Sequence, residues 1–403
     1  MQSLTQTRRN GGGPEGRHQV VVSLGLSQTL AWASSYYLPA VLAGPMSKDL
    51  GVSAPTVFAA FSVALFVSAL IGPLAGRAID RWGGSVVLPL TSLVFAAGLA
   101  GLAFATGPWS LFAAWALLGV GMGSGLYEGA FAALVRLYGA GSRGAITGVT
   151  LFAGFASTIG WPLSAYLETQ VGWRGACLTW AALHIVVGLP LNLWLPAAAR
   201  LHVADDSSRG AAAAATETST TRSSAAALLA IVFAITWFIS TAMAAHLPAL
   251  LIAQGSTLAG AVFVGALIGP AQVGARLLEF GVLRHIHPLL SARLAALLHP
   301  IGACLLGVLG APAAAAFGVL HGAGNGILTI AKGTLPLAIF GPSGYGHRQG
   351  MLMVPARIAQ ASAPYLFGLC LERWGAGALW ISAVLGMAAF GALALLPKPQ
   401  TGR

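Results

Sequence analysis

Hydrophobic residues along this chain fall into long, nearly unbroken blocks, separated by short polar or glycine- and proline-rich punctuation and without any alternation of period two. A helical residue advances about 1.5 Å, so a hydrocarbon core about 30 Å thick needs roughly 20 apolar residues per crossing. Blocks of that length recur near 19–43, 56–76, 86–105, 109–135, 145–167 and 176–195. A second set follows near 226–251, 258–282, 289–309, 313–338, 349–371 and 377–396. The pattern predicts an all-α polytopic membrane protein with twelve transmembrane helices in two pseudo-symmetric six-helix bundles. A membrane barrel is excluded, because its strands alternate apolar and polar residues over about ten positions. The expected division is a cytoplasmic tail over 1–18, an N-terminal half over 19–196 and a cytoplasmic linker over 197–224. A C-terminal half over 225–397 and a cytoplasmic tail over 398–403 complete it. The linker is drawn from its run of Ala, Ser, Thr and Asp.

Composition excludes an ordinary soluble domain: 57% of the 403 residues are hydrophobic and 8% charged, against about 25% charged in soluble proteins. The net charge of +11 does not mark a nucleic-acid surface, since the basic residues stand singly between apolar blocks. They act instead as topology signals, because Lys and Arg are retained in cytoplasmic loops. With the N-terminus inside, fifteen of the 21 Lys and Arg face the cytoplasm, and only Lys48, Arg174 and Arg373 fall outside. Both termini are therefore expected in the cytoplasm, with the chain multi-pass in a bacterial-type plasma (inner) membrane. The basic leader, the apolar run and Ala31-Trp32-Ala33 imitate a cleavable signal, but the run continues to Ala43 and reads as a retained helix. Cys177, Cys304 and Cys370 are dispersed, which gives neither a disulfide framework nor a metal site. No GxSxG, HExxH or Walker lysine motif is present, so no catalytic site, no cofactor and no ATP drive from this chain are expected.

The two sets of blocks repeat at an offset near 200 residues. Residues 66–73 read FVSALIGP and residues 263–270 read FVGALIGP, matching at seven of eight positions. Gly121, Gly123 and Gly125 correspond to Gly322, Gly324 and Gly326, Gly148 and Pro162 to Gly350 and Pro364, and Leu38-Pro39-Ala40 to Leu247-Pro248-Ala249. Four matches in one order describe parallel halves related by an axis along the membrane normal.

With these features the sequence resembles the major facilitator superfamily over essentially its whole length. The best local mark is Gly76-Arg77-Ala78-Ile79-Asp80-Arg81-Trp82-Gly83-Gly84, which resembles that family's GxxxDRxG(R/K) loop; Gly84 and Ser85 stand where basic residues are usual. The resemblance implies that Gly76, Asp80, Arg81 and Gly83 form a cytoplasmic gate motif, and it implies secondary transport by alternating access. Gly172-Trp173-Arg174 resembles another common feature of the family. Tyr138, Arg143-Gly144-Ala145 and Gly148 are similar to a pattern of monocarboxylate and oxalate/formate carriers, and Arg276 and Arg357 stand where those carriers meet an anionic substrate. Gln272 replaces the aspartate of monocarboxylate carriers.

Charged groups inside a bilayer cost about 2.5–3.5 kcal/mol on insertion scales unless they face a partner or a cavity. Arg357, nine residues into its block, and Arg276 are therefore the first substrate-binding candidates, with Gln360 on the same helical face as Arg357. Tyr36, Tyr37, His246 and Asn325 complete the candidate set, and Gln28, Trp237 and His321 are further polar or aromatic positions. Glu128 is the acidic residue well inside an apolar block and is the coupling candidate. An ion pair of Arg276 with Glu279, three residues on, competes with ligand binding. Lys332, within about six residues of its predicted helix end, reads as a topology residue that reaches the interface.

The leading function is a secondary transporter of a small solute, proton- or exchange-coupled, with a small organic anion favoured by the intramembrane arginines. Its partners are that substrate, protons or a counter-substrate, and the lipid bilayer; no nucleic acid is implied and a monomer is expected. Proton-linked efflux of drugs, metabolites or toxic metalloids is the runner-up. A non-transporting sensor or an intramembrane enzyme is the alternative of a different class.

Overall fold

The structure, a computed structural model, describes residues 14–197 and 214–396. Most of the tails and of the linker, with Arg8, Arg9, Arg200, Arg209, Lys398 and Arg403, lie outside the described residues. Within them the chain is helical, and the first half runs α1 (Pro14–Ser34), α2 (Pro39–Asp49), α3 (Ala54–Trp82), α4 (Gly84–Ala103), α5 (Pro108–Gly125), α6 (Tyr127–Tyr138), α7 (Arg143–Ala153), α8 (Ala156–Leu183) and α9 (Leu189–Leu193). The second half runs α10 (Ala214–Ala253), α11 (Leu258–Gly281), α12 (Pro288–Leu309), α13 (Ala314–Phe340), α14 (Tyr345–Trp374) and α15 (Ala378–Leu395).

These helices make twelve crossings. Among the described residues, seven helical stretches are long and apolar enough to span a membrane, and the longest, the 86-residue Pro108–Leu193, contains several crossings. Its divisions are chemical. Gly172, at φ 70° and ψ 171°, takes a conformation that side-chain-bearing residues avoid, and it reverses the chain inside α8. α1 and α2 form one crossing broken just before Pro39, and α5 and α6 another broken at Leu126, whose φ and ψ of −79° and −163° are extended. A Cβ on Gly129 would lie 2.2 Å from the Ser124 carbonyl oxygen, so the second break requires glycine there. α10 starts at Ala214, inside the predicted linker, although its first eleven residues, AATETSTTRSS, are mostly Thr and Ser.

The described residues divide into two compact units: 14–64 with 74–197, and 65–73 with 214–396. In the first, α1 packs on α7 and α8, and α4 on α5 and α8. In the second, α10 packs on α14, α11 and α12 on α13, and α12 on α15. Met243, Leu247, Leu250, Phe317, Phe367 and Leu379 form part of the second unit's core. Glycines let the helices approach closely: a Cβ on Gly322 would lie 2.7 Å from the Ile268 carbonyl oxygen, and one on Gly326 2.6 Å from that of Gln272. Contacts of this kind bring membrane helices together where no hydrophobic drive separates protein from lipid.

Candidate functional site

The second unit gathers two cations on one indole. Arg357 and Gln360 lie three residues apart on one face of α14, and Arg357 Nη1 donates to Gln360 Oε1 at 3.0 Å. The Arg357 guanidinium lies 5.3 Å from the Trp237 ring centroid on α10, and Lys332 Nζ on α13 lies 4.0 Å from it. Both separations fall within the roughly 6 Å over which an aromatic face attracts a cation. Arg357 is 2% exposed, Lys332 5% and Gln360 0%, so the group is removed from the water that usually solvates such charges. Gln349 Nε2 donates to the Lys332 carbonyl at 3.0 Å and holds α14 against α13 at this level.

The Gln360 amide is fixed by its neighbour. A guanidinium only donates, so the atom facing it must be the oxygen, and Nε2 points elsewhere. That buried Nε2 has no hydrogen-bond partner among the described residues. The guanidinium and the ammonium thus gather two charge-bearing donors at one indole, and donors of this kind suit a carboxylate. Lys332 is a correction to the sequence expectation: Trp237 of α10 packs on its ammonium, and the lysine is buried instead of reaching an interface.

The other predicted residues disperse around this group. Arg276 is buried on α11 with Glu279, whose carboxylate accepts from Ser291 Oγ of α12 at 2.5 Å. His246 Nε2 meets the Pro364 carbonyl at 2.7 Å and ties α10 to α14. Asn325 Nδ2 donates to Ser240 Oγ at 3.1 Å, on the wall of a cavity between α10, α12, α13 and α15. His299, absent from the sequence expectations, joins His321 on that wall.

In the first unit, Tyr36 and Tyr37 belong to a continuous aromatic network. Trp32 lies 5.3 Å from Tyr36 and 4.9 Å from Tyr127, Tyr36 lies 5.7 Å from Phe61, and Tyr37 lies 5.8 Å from Trp161. The two broken crossings meet in this network. Gln28 Nε2 donates to the Gly125 carbonyl at 2.6 Å, satisfying an acceptor next to the α5–α6 break. Glu128 stands in the first turn of α6, where the free amides of a helix N-terminus attract negative charge.

The residues expected to form a gate motif end α3. Gly83, at φ 90°, turns the chain into α4, and Arg136 of α6 donates to the backbone carbonyls of Asp80 and Arg81. A guanidinium on the last carbonyls of a helix satisfies acceptors that the helix cannot. Arg136→Gln is expected to cost about 1–2 kcal/mol of stability, read as a lower thermal midpoint in detergent; an unchanged midpoint would contradict the clasp. At the other end of this unit, Arg174 pairs with Asp49 at 2.8 Å and donates to the carbonyls of Ala103 and Ala105, which accounts for the Gly172-Trp173-Arg174 turn.

Comparison with known proteins gives a consistent picture. The family model for the Major Facilitator Superfamily matches residues 24–318. The human organic anion transporter MFSD10 (TETRAN) has a similar fold, with a TM-score of 0.69 at 19% identity, covering 94% of this chain and 100% of that one. The proton:xylose symporter XylE, solved with 6-bromo-6-deoxy-D-glucose, gives 0.73 at 13% identity over 94% and 97%. The E. coli fucose:proton symporter FucP gives 0.72 at 14% identity over 94% and 98%. In sequence, an uncharacterized 38 kDa protein of Thermoproteus tenax is 31% identical over 154 residues, which span 38% of this chain and 40% of that protein.

Proposed function

Because this chain belongs to the major facilitator superfamily, we propose that it is a secondary active transporter that carries a small organic anion by alternating access. The observation that carries the anion reading is the gathering of Arg357 and Lys332 on Trp237, with Gln360 bonded to Arg357. A neutral sugar presents hydroxyls that both donate and accept, whereas guanidinium and ammonium groups only donate. A carboxylate supplies acceptors in a plane that suits the guanidinium fork, and the indole covers the flank of both cations. The name of the human organic anion transporter agrees with this reading, though the likeness to it is one of fold.

Burial also favours one small anion over a polyanion, since each ion moved out of water costs several kcal/mol unless it is paired closely. Proton coupling is the simplest way to move such an anion against its gradient without net charge. The cell context is the bacterial-type plasma membrane with both termini inside, as the distribution of Lys and Arg indicates.

Binding tests the reading directly. Purified protein in detergent is titrated with acetate, lactate, oxalate and benzoate, with methyl benzoate, xylose and choline as uncharged and cationic controls. At least one carboxylate should bind with a thermal shift and a saturable isotherm, and the controls should not. Binding of choline or xylose with no carboxylate bound would refute the anion site.

A further inference from the structure

We infer that the buried pair His299–His321 takes up the proton that travels with the anion, a role that rests on the anion reading above. The two imidazoles meet Nδ1 to Nδ1 at 2.9 Å, and His299 Nε2 lies 3.1 Å from Ser382 Oγ. Ser382 in turn donates its hydroxyl proton to the Leu379 carbonyl at 2.7 Å.

These contacts fix every proton in the neutral chain. The Ser382 hydrogen is committed to Leu379, so its oxygen can only accept, and His299 Nε2 must carry a hydrogen. A neutral imidazole carries one hydrogen, which leaves His299 Nδ1 bare. His321 Nδ1 must then donate to it, and His321 Nε2 becomes the lone pair that the pair offers. A proton arriving there makes His321 an imidazolium that still donates through Nδ1 to His299. A second proton would have to enter between the two Nδ1 atoms and break their bond, so the pair takes one proton.

The surroundings suit transfer by water. Both imidazoles line a cavity with Thr236, Ser240 and Asn325. Its hydroxyl and amide side chains offer water several hydrogen-bond partners. The proton therefore comes from solvent through bound water to His321 Nε2, and leaves by the same atom when access changes sides.

Charge on the neighbouring elements links this proton to the anion. α12 carries Arg293, held by the carbonyls of Leu393, Ala394 and Leu396, and α13 carries Lys332. α10 brings Trp237 beside Thr236, with His246 further along and Glu217 and Arg222 near its start; α15 carries no ionisable residue. α11 brings Arg276 and Glu279, and α14 brings His347, Arg348, Arg357, Glu372 and Arg373. No carboxylate lies on α12, α13 or α15. A proton on His321 thus joins the cations around Trp237, and an anion bound there offsets them. By linkage, protonation raises anion affinity by the same factor that the anion raises proton affinity. The eleven residues from His321 to Lys332 place that charge about 16 Å along the helix, so the expected factor is about fivefold to tenfold.

The experiment follows proton uptake with a pH indicator in weakly buffered detergent, on adding acetate, lactate, oxalate or benzoate to the full chain. The wild type should take up at most about half a proton per bound anion, at a pH midway through the titration, with affinity rising about fivefold to tenfold as pH falls through it. His321→Gln should bind with no proton uptake and no pH dependence, and His299→Gln should weaken both. Should His321→Gln not fold, Ser382→Ala, which frees the tautomer of His299, should shift the midpoint of uptake. Anion binding without proton uptake in the wild type overturns the inference while leaving the anion site standing. Proton uptake retained in the histidine variants but lost in Glu128→Gln assigns it to Glu128 and also overturns it. No binding of any of the four anions by the wild type refutes the anion reading and this inference together.

Discussion

Replacing Arg357 by lysine is expected to weaken anion binding about tenfold, and replacing it by glutamine on the order of 100-fold or more. The ranking follows from what each variant removes. Lysine keeps a positive charge near the Trp237 face, whose centroid lies 5.3 Å from the native guanidinium, but it loses the planar fork that matches a carboxylate. Its loss of a directed charge-assisted hydrogen bond corresponds to about 1.4 kcal/mol, a factor of ten. Glutamine removes the charge as well, and truncating one member of a buried charged pair costs about 2–5 kcal/mol. Lys332→Met supplies the comparison within the same group, since it keeps a flexible chain against the indole without the ammonium. It should fall between the two. Isothermal titration of each variant with the four carboxylates reads these factors, with circular dichroism confirming that the helices are intact. Equal affinities in wild type and Arg357→Gln would remove this residue from the site.

How far sequence carried this picture depends on the kind of information each feature needs. The twelve crossings were legible because the length of an apolar block is set by bilayer thickness, a constraint that acts on one segment at a time. Arg357 with Gln360 was legible for a similar reason, since their spacing fixes a shared helical face without reference to any other element. Lys332 was misread because its surroundings depend on what packs against α13. The helix ends at Phe340, close to the expected 338, but Trp237 of α10 packs on the ammonium and the lysine is buried. The indole that joins Lys332 to Arg357 comes from α10, almost 100 residues before the lysine, and no local pattern encodes that meeting. His299 went unnoticed because one histidine in an apolar helix is ordinary; only its approach to His321 gives it chemistry. The breaks before Pro39 and at Leu126 were hidden in continuous apolar sequence, although Gly129 carried the requirement for one of them.

The largest effect on folding is expected at the α11–α13 contact. Gly326→Val should destabilise the second unit severely, because even a Cβ there would lie 2.6 Å from the Gln272 carbonyl oxygen and 3.0 Å from its Cα. These neighbours are backbone, so relief requires the helices to separate. Overpacking of this kind costs about 1–3 kcal/mol for small additions, and the branched side chain of valine adds to it. Gly322→Val should behave alike, since its Cβ would meet the Ile268 carbonyl oxygen at 2.7 Å. Gly269→Ala on α11 is the control: nothing lies within 4 Å of its Cβ position, and alanine favours helix over glycine by about 1 kcal/mol. Thermal unfolding followed by size-exclusion chromatography should show early loss of the monodisperse peak for the two valine variants and none for the control. A normal profile for Gly326→Val would show that the helices are not held at this spacing.

Transport itself is the most direct test of the central claim, and counterflow isolates it from any driving force. Proteoliposomes preloaded with unlabelled acetate, lactate, oxalate or benzoate are diluted into the same labelled anion without ATP. Vesicles containing the wild-type chain should accumulate label transiently for at least one of the four anions, and Arg357→Gln should abolish this. No accumulation of any of the four anions, or equal accumulation with the wild type and Arg357→Gln, would contradict that claim.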